Sequence, residues 1–203
     1  MSGAYNFAYQ TAQTSTVLAN SELVLSQNLT FSYDPQVVAS QNLLAFSGDT
    51  SVLVLSGANL HSTVTGMQLS NGILLVTTNS QLSSESQTLP SGQIINPGIT
   101  IGDGISPLDD FITFIFSGAT LELSSGHLSY QNLSPFSYIA QTNTSLIQID
   151  DNTRFSLYQN INLGPGILVF GNGPGTVTYE RTSAANINGS IYVHGTVNYV
   201  ILS

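Results

Sequence analysis

The chain contains no lysine, no cysteine and no tryptophan among its 203 residues, and its only permanent cations are Arg154 and Arg181. Charged residues make up 6% of the sequence, against roughly 25% in an average domain. Proteins that bind nucleic-acid phosphates or anionic membrane surfaces use clusters of Lys and Arg. The near absence of cations therefore excludes both kinds of partner, and the net charge of −9 is spread thinly along the chain.

The missing cysteines exclude disulfides, thiolate chemistry and Cys-based zinc sites. His61, His127 and His194 show no metal-ligand spacing. Oxygen-rich segments such as 150–153 are interpreted as turns rather than calcium sites, because Asp and Asn side chains bond to local backbone. The Gly- and Pro-rich segment 171–175 lacks the Lys and the following helix of a phosphate-binding loop. We therefore predict neither a metal nor a cofactor.

Long apolar runs are also absent. The longest candidates, residues 111–116 and 197–202, have the length of strands, whereas a membrane-spanning helix needs about 20 residues. Residues 1–10 lack the basic and apolar regions of a secretory signal. We expect either that a signal has been removed or that the product assembles inside a cell and leaves by lysis, and we predict a location at the extracellular surface or in a virion, without membrane insertion.

The pattern that is present predicts an all-β protein. Short runs of β-branched and aromatic residues are separated by Gly, Asn, Ser, Asp or Pro, and no segment shows a helical period. Asn71-Gly72 suits a type I′ hairpin turn, and similar turns are predicted at 47–50, 150–153, 171–175 and 194–195. Repeated hairpins favour an antiparallel β-sandwich or jelly roll. A parallel β-solenoid is the alternative, but it requires a sustained repeat, and no fixed short period is evident.

Residues 1–16 are predicted to be an N-terminal arm or edge strand, because Tyr5, Phe7 and Tyr9 alternate at the period of a strand. An arm of this kind can add a strand to a neighbouring subunit. Residues 17–203 are predicted to form a single β domain. Two packed halves, connected near the proline-containing stretch 82–107, are the alternative.

The acidic residues do not form a recognisable catalytic pattern. Glycoside hydrolysis needs two carboxylates at a set separation, but Glu85, Glu122 and Glu180 are isolated in the sequence. The pairs 109–110 and 150–151 are adjacent, so their side chains would lie on opposite faces of a strand. We predict no catalytic residues and no enzyme, with a carboxylate-dependent glycosidase as the third-ranked function.

Several runs are apolar at consecutive positions, which would make both faces of a strand apolar. A simple antiparallel sandwich alternates apolar and polar residues, so the second face needs cover from the same chain or from another subunit. Asp109 and Asp110 precede one such run as charged gatekeepers. The predicted assembly interface consists of Tyr5, Phe7, Tyr9, Phe111, Phe114, Phe116, Tyr199, Val200, Ile201 and Leu202.

Together these features predict a non-enzymatic structural subunit of an extracellular filament, appendage or virion shell, whose partners are copies of itself and which assembles by β-strand addition and apolar patches. In composition the chain resembles, in a general way, coat and filament subunits from harsh, acidic or hot environments. The alternative is a glycan-binding or adhesin module, supported by nine tyrosines and many amide side chains, with surface glycans as partners. Sequons at Asn28, Asn132, Asn143 and Asn188 are expected by chance in such a composition.

Overall fold

The computed structural model describes residues 5–9, 14–33, 44–62, 67–69, 71–77, 80–84, 87–88, 90–92, 94–95, 98–102, 111–115, 120–123, 126–130, 138–140 and 142–203. These residues form strands and turns, and none of them belongs to a helix that could cross a membrane. The strands, in chain order, are β1 (Tyr5–Tyr9), β2 (Ser15–Val17), β3 (Glu22–Leu25), β4 (Leu29–Tyr33), β5 (Leu44–Phe46), β6 (Val52–Leu55), β7 (Asn59–Ser62), β8 (Met67–Leu69), β9 (Gly72–Val76), β10 (Ser80–Ser84), β11 (Gln87–Thr88), β12 (Ile94–Ile95), β13 (Gly98–Ile101), β14 (Phe111–Ile115), β15 (Thr120–Leu123), β16 (Gly126–Tyr130), β17 (Tyr138–Ala140), β18 (Leu146–Ile149), β19 (Thr153–Leu157), β20 (Ile161–Phe170), β21 (Thr176–Thr182), β22 (Ile187–Val193) and β23 (Thr196–Leu202).

Three large sheets contain most of these strands. Sheet 1 has the order β1-β4-β7-β10-β15-β18-β20-β22, sheet 2 the order β8-β13-β16-β19-β21-β23, and sheet 3 the order β3-β6-β9-β14-β17. From β6 to β10 the chain passes through sheets 3, 1, 2, 3 and 1 in turn, and the same cycle resumes from β13 to β19. Each circuit of the chain through the sheets adds one strand to each sheet that it visits, and we call the strands of one circuit a rung. Because the rungs stack on one another, the arrangement is solenoid-like.

All pairings within the three large sheets are parallel, and β2 with β5 is parallel as well; among the described strands only β11 and β12 pair antiparallel. The predicted antiparallel β-sandwich or jelly roll is therefore wrong. The strand order is compatible with the alternative, a parallel β-solenoid.

The error lies in the turns rather than in the strands. The segments on either side of Asn71-Gly72 are strands, but β8 lies in sheet 2 and β9 in sheet 3. The segments flanking 150–153, 171–175 and 194–195 likewise lie in sheets 1 and 2. A residue with positive φ, such as Gly72 at 116° or Asn152 at 62°, turns the chain sharply at a corner as readily as in a hairpin. The predicted hairpin turns are corners between sheets.

The core is built from rows of side chains that run across the strands. The longest row crosses all eight strands of sheet 1 at mutually paired positions, and we name it the inward row. Its positions are Phe7, Phe31, Leu60, Leu82, Leu123, Ile149, Phe170 and Val193, where Phe7 is included through its backbone pairing with Phe31 alone. From Phe31 to Phe170 every member is buried. Strands that project such residues into a shared interior are stabilised by the apolar area they remove from water.

The strands on either side of the predicted connection at 82–107 pair with each other. Ser80 to Leu82 of β10 pair with Leu121 to Leu123 of β15, and β9 pairs with β14 over its whole length. Sheets 1 and 3 therefore continue across this stretch.

The interior contains a void of about 20 Å³ lined by apolar side chains that include Leu82, Ile101 and Leu123. A volume of this size holds about one water molecule. No ligand larger than water fits in this void.

Candidate assembly interface

The last rung consists of β22 and β23, joined by the corner His194-Gly195. β22 is the outermost strand of sheet 1, and β23 is the outermost strand of sheet 2. Neither strand contains a charged residue or a proline. Soluble proteins usually place lysine, proline or a bulge on exposed edges to prevent pairing with another chain. Neither edge is protected by a charge or a proline, and the one irregularity is a register shift where β22 pairs with β20 between Asn188 and Ser190.

Large apolar side chains of the last rung are exposed to solvent. The exposed fractions are 42% for Ile191, 55% for Tyr192, 56% for Val193, 49% for Tyr199 and 48% for Ile201. We call these exposed apolar side chains of β22 and β23, which are consecutive strands of one rung, the end surface. Several large apolar side chains exposed on consecutive strands mark an interaction site more often than single exposed side chains do.

These residues are exposed because nothing in the described structure stacks beyond them. Val193 pairs with Phe170, and Ile191 pairs with Leu168; both partners are buried. Ile191 and Val193 therefore continue rows that are buried on the preceding strands of sheet 1, β10 to β20, whereas Tyr192 pairs with the partly buried Val169 on the other face of the sheet. The last rung therefore presents apolar side chains, which are typical of a protein core, to solvent.

An aromatic series connects the end surface to the interior of sheet 2. The ring centroids of Phe155 and Tyr179 are 5.8 Å apart, those of Phe170 and Tyr179 are 5.3 Å apart, and those of Tyr179 and Tyr199 are 5.5 Å apart. Such spacings fall within the range of favourable aromatic contacts. Burial raises the pKa of Tyr179 to about 12, so its hydroxyl stays neutral. Tyr199 adds an exposed ring at the end of this series.

The corner before the last rung is fixed by backbone geometry. Gly171 has a φ of 84°, and a Cβ atom there would lie 1.8 Å from the carbonyl oxygen of His194. The amide of His194 donates to the carbonyl of Phe170 at 2.7 Å. Asp151 accepts hydrogen bonds from the amides of Asn172 and Gly175 at 3.4 and 3.0 Å. The carboxylate of Asp151 thus bonds to the backbone of the next corner, 21 and 24 positions away, rather than to the local backbone that the sequence predicts.

Arg181, on β21, connects the end of this strand to β23 of the last rung. Its Nη1 donates to the carbonyls of Thr182, Ser183 and Ala185 at 3.3, 3.2 and 2.6 Å. Its Nε donates to the hydroxyl of Tyr199. One of only two arginines in the chain is therefore used to hold β21, β23 and the loop after β21 together.

The opposite edge of sheet 1 is β1, whose backbone pairs in parallel with β4 from Tyr5 beside Leu29 to Tyr9 beside Tyr33. Its sequence, like that of β22, contains no charged residue. The predicted arm residues Tyr5, Phe7 and Tyr9 therefore lie on an edge strand of this chain's own sheet. Phe7 occupies the first position of the inward row, and Val193 occupies the last.

The remaining predicted interface residues fall into two groups. Tyr199 and Ile201 are exposed on β23, whereas Val200 and Leu202 are partly buried. Phe111 and Phe114 lie on β14, which is an internal strand of sheet 3; Phe116, like Asp109 and Asp110, lies outside the described residues. The sequence analysis missed Ile191, Tyr192 and Val193, because three apolar residues after Asn-Gly-Ser gave too short a run.

A polar network occupies the outer face of sheet 2. Nε2 of His127 lies 2.8 Å from the hydroxyl of Ser156, which donates to Oε2 of Glu180 at 2.9 Å. Arg154 forms an ion pair with Glu180 at 3.1 Å. Burial and the charge of Arg154 lower the pKa of His127. Because Ser156 is buried and its hydroxyl is bonded to a carboxylate, this network stabilises the stack of rungs and presents no accessible nucleophile.

Two carboxyl groups, Glu122 on β15 and Asp150 directly after β18, interact between neighbouring internal strands of sheet 1. Burial, followed by a hydrogen bond and charge repulsion from Glu122, raises the pKa of Asp150 to about 7. The side chain of Gln148 donates to the carbonyl of Gly171 at 2.8 Å and also hydrogen-bonds Asp150. No group of three or more His, Asp or Glu side chains suited to a metal ion occurs in the described part of the chain.

Comparisons of the chain with family models, with curated proteins and with solved structures found no match.

Proposed function

We propose that this protein is a non-enzymatic structural subunit that assembles head to tail with copies of itself, by parallel addition of β1 of one copy to β22 of the next. The single observation that carries the proposal is the exposed, uncharged last rung, whose Val193 ends the otherwise buried inward row. An extracellular filament, appendage or virion shell is the setting that this proposal implies, because such assemblies are built from repeated non-covalent contacts of this kind.

Register supports the choice of β1 as the strand that covers β22. Sheet 1 has two outer edges, and the inward row reaches both, from Phe7 on β1 to Val193 on β22. Placing β1 of a second copy beside β22 continues the row in phase and keeps every neighbouring pair parallel. A contact between two different edges repeats without closing when the copies are related by translation and rotation along the solenoid axis. The expected product is a filament.

Electrostatics supports association of like chains. A net charge of −9 opposes self-association in general, but neither contacting strand contains an acidic residue. Burial of apolar side chains that are about half exposed in the monomer then supplies the driving force, at roughly 25 cal/mol per Å² removed from water. The backbone groups of both edges gain hydrogen-bond partners in the same contact.

Negative-stain electron microscopy of the full chain, together with light scattering on a size-exclusion column, tests the proposal. We expect the wild-type protein to form filaments, and Val193→Lys to remain monomeric because a buried unpaired ammonium group is costly. Asn143→Lys adds the same charge at an exposed turn between β17 and β18 and serves as the matched control. Monomers of wild type at high concentration, or filaments of Val193→Lys, would contradict the proposal.

A further inference from the structure

The outer face of sheet 1 contains an open depression of about 300 Å³. Its sides are formed by outward-facing residues of four adjacent strands, Thr30 on β4, Asn59 on β7, Gln81 on β10 and Glu122 on β15, and these residues occupy mutually paired positions. Parallel pairing places successive members about 4.8 Å apart. The depression is thus bordered by a straight row of hydroxyl, amide and carboxylate groups, and its volume reaches the lower end of the range for small-molecule sites, about 300–1,000 Å³.

Asn59 is held in place by its neighbours. Its Oδ1 accepts a hydrogen bond from the hydroxyl of Ser83 at 2.8 Å, and the Ser83 oxygen lies 2.8 Å from Nδ1 of His61. Because the amide oxygen is engaged, the amide NH₂ of Asn59 is the group that can donate to a ligand. A side chain fixed in this way loses little conformational entropy when it binds.

Charge restricts the ligand. The chain has two arginines and no lysine; Arg154 pairs with Glu180 on sheet 2, and Arg181 binds carbonyls at the last rung. Neither cation is available to the depression, whereas Glu122 contributes a carboxylate to its lining. Phosphates, sulfates and uronic acids would meet an unopposed negative charge, so an anionic ligand is disfavoured.

The lining also contains apolar and backbone surface from Leu29, Gly57 and Ala58. A ligand that fits this mixture offers hydroxyl groups, which both donate and accept hydrogen bonds, and a C–H face. We infer that the depression binds a neutral oligosaccharide whose chain follows the row Thr30, Asn59, Gln81 and Glu122 along the solenoid axis. This site is separate from the last rung and does not depend on the proposed assembly.

Isothermal titration calorimetry with cellotriose, maltotriose, mannotriose and chitotriose, and with trigalacturonate as the anionic counterpart, tests the inference. We expect at least one neutral trisaccharide to bind, and trigalacturonate to bind more weakly. Gln81→Ala and Asn59→Ala should each weaken binding about five- to tenfold, as expected for the loss of one hydrogen-bonding group. Asn143→Ala, which removes an exposed amide elsewhere, is the control and should leave the affinity unchanged.

Three results would overturn the inference: no binding of any neutral trisaccharide, tighter binding of trigalacturonate, or equal affinity of wild type and both depression variants. Val193→Lys separates this inference from the proposed assembly, because it alters the last rung alone. Sugar binding by Val193→Lys at wild-type strength would support the depression as the site whether or not filaments form. Loss of sugar binding by this variant, with its fold intact by circular dichroism, would contradict the inference.

Discussion

Phe170 and Val193 are paired neighbours in the inward row of sheet 1, yet Phe170 is 3% exposed and Val193 is 56% exposed. The difference arises because β18 covers one side of β20 and β22 covers the other, whereas β22 is covered on one side only. A side chain at a core position is thus exposed at the end of the sheet. The predictions about assembly follow from this pair.

The direction of assembly can be tested by cross-linking, because the chain has no cysteine. Paired parallel strands lie about 4.8 Å apart, and disulfides join residues whose Cα atoms are about 4.4–6.8 Å apart. We expect a mixture of Phe7→Cys and Val193→Cys proteins to form a disulfide-linked heterodimer under mild oxidation, detected by non-reducing electrophoresis and mass spectrometry. Val193→Cys alone should stay unlinked; an efficient Val193→Cys homodimer would indicate end-to-end rather than head-to-tail contact.

The inward row predicts a gradient of stability effects. Leu82 is fully buried in the middle of the row, so Leu82→Ala should reduce the free energy of unfolding by about 2–5 kcal/mol. Val193→Ala should change it by no more than about 0.5 kcal/mol in the dilute monomer, because the side chain is largely solvated there. Urea denaturation of both variants measures the difference. Equal losses would show that the last rung is packed in the monomer.

The corner at Gly171 gives a third prediction. Gly171→Ala combines a positive φ with a Cβ atom only 1.8 Å from a carbonyl oxygen, so we expect a loss of about 3 kcal/mol or more. Gly92→Ala is a matched control, because Gly92 has a φ of 80° and nothing within 4 Å of the added atom; its cost should be about 1 kcal/mol. Thermal unfolding of the two variants compares them. Similar costs would mean that the corner relaxes freely.

The strands that flank the predicted turns could be predicted from the sequence, whereas the strands β11 to β13 inside the predicted connection at 82–107, and the pairing of the strands, could not. Strand residues are indicated by local alternation and β-branching, but a Gly- or Asn-containing turn has the same sequence in a hairpin and at a corner. The offset between paired residues is 21 from Val52 to Ile73, yet it is 39 from Ile73 to Ile112. Insertions of this kind remove the fixed period that indicates a solenoid in the sequence.

Only part of the candidate interface could be predicted from the sequence, because the pairing of the strands decides which of them are edges. Residues 197–202 form an uninterrupted β-rich run, so Tyr199 and Ile201 were identified, but β22 becomes an edge only through parallel pairing with β20. The network on sheet 2 was inaccessible to sequence reasoning, because His127 contacts a serine 29 positions away and that serine contacts Glu180 a further 24 positions away. Such contacts form only when the strands of successive rungs pair in one particular register.

The pH dependence of stability provides the last prediction. The pKa of Asp150 rises from 3.8 to about 7 in the folded protein, through burial and the neighbouring Glu122. A carboxyl group that binds its proton more tightly in the folded state contributes stability that is fully present below its unfolded pKa and is lost as the pH rises through its folded pKa. Stability from this group should therefore fall between about pH 4 and about pH 7. His127 acts in the opposite direction, because its pKa is lowered from 6.5 and its contribution is lost as the pH falls.

Urea midpoints measured near pH 4 and near pH 7 separate the two groups. We expect His127→Gln to show a higher midpoint near pH 4 than near pH 7, because the Asp150 contribution is then no longer opposed by that of His127. Adding Asp150→Asn should flatten that difference and raise the midpoint near pH 7, since the amide cannot ionise beside Glu122. A midpoint of His127→Gln that is lower in acid would contradict the prediction that burial of Asp150 favours its protonated form.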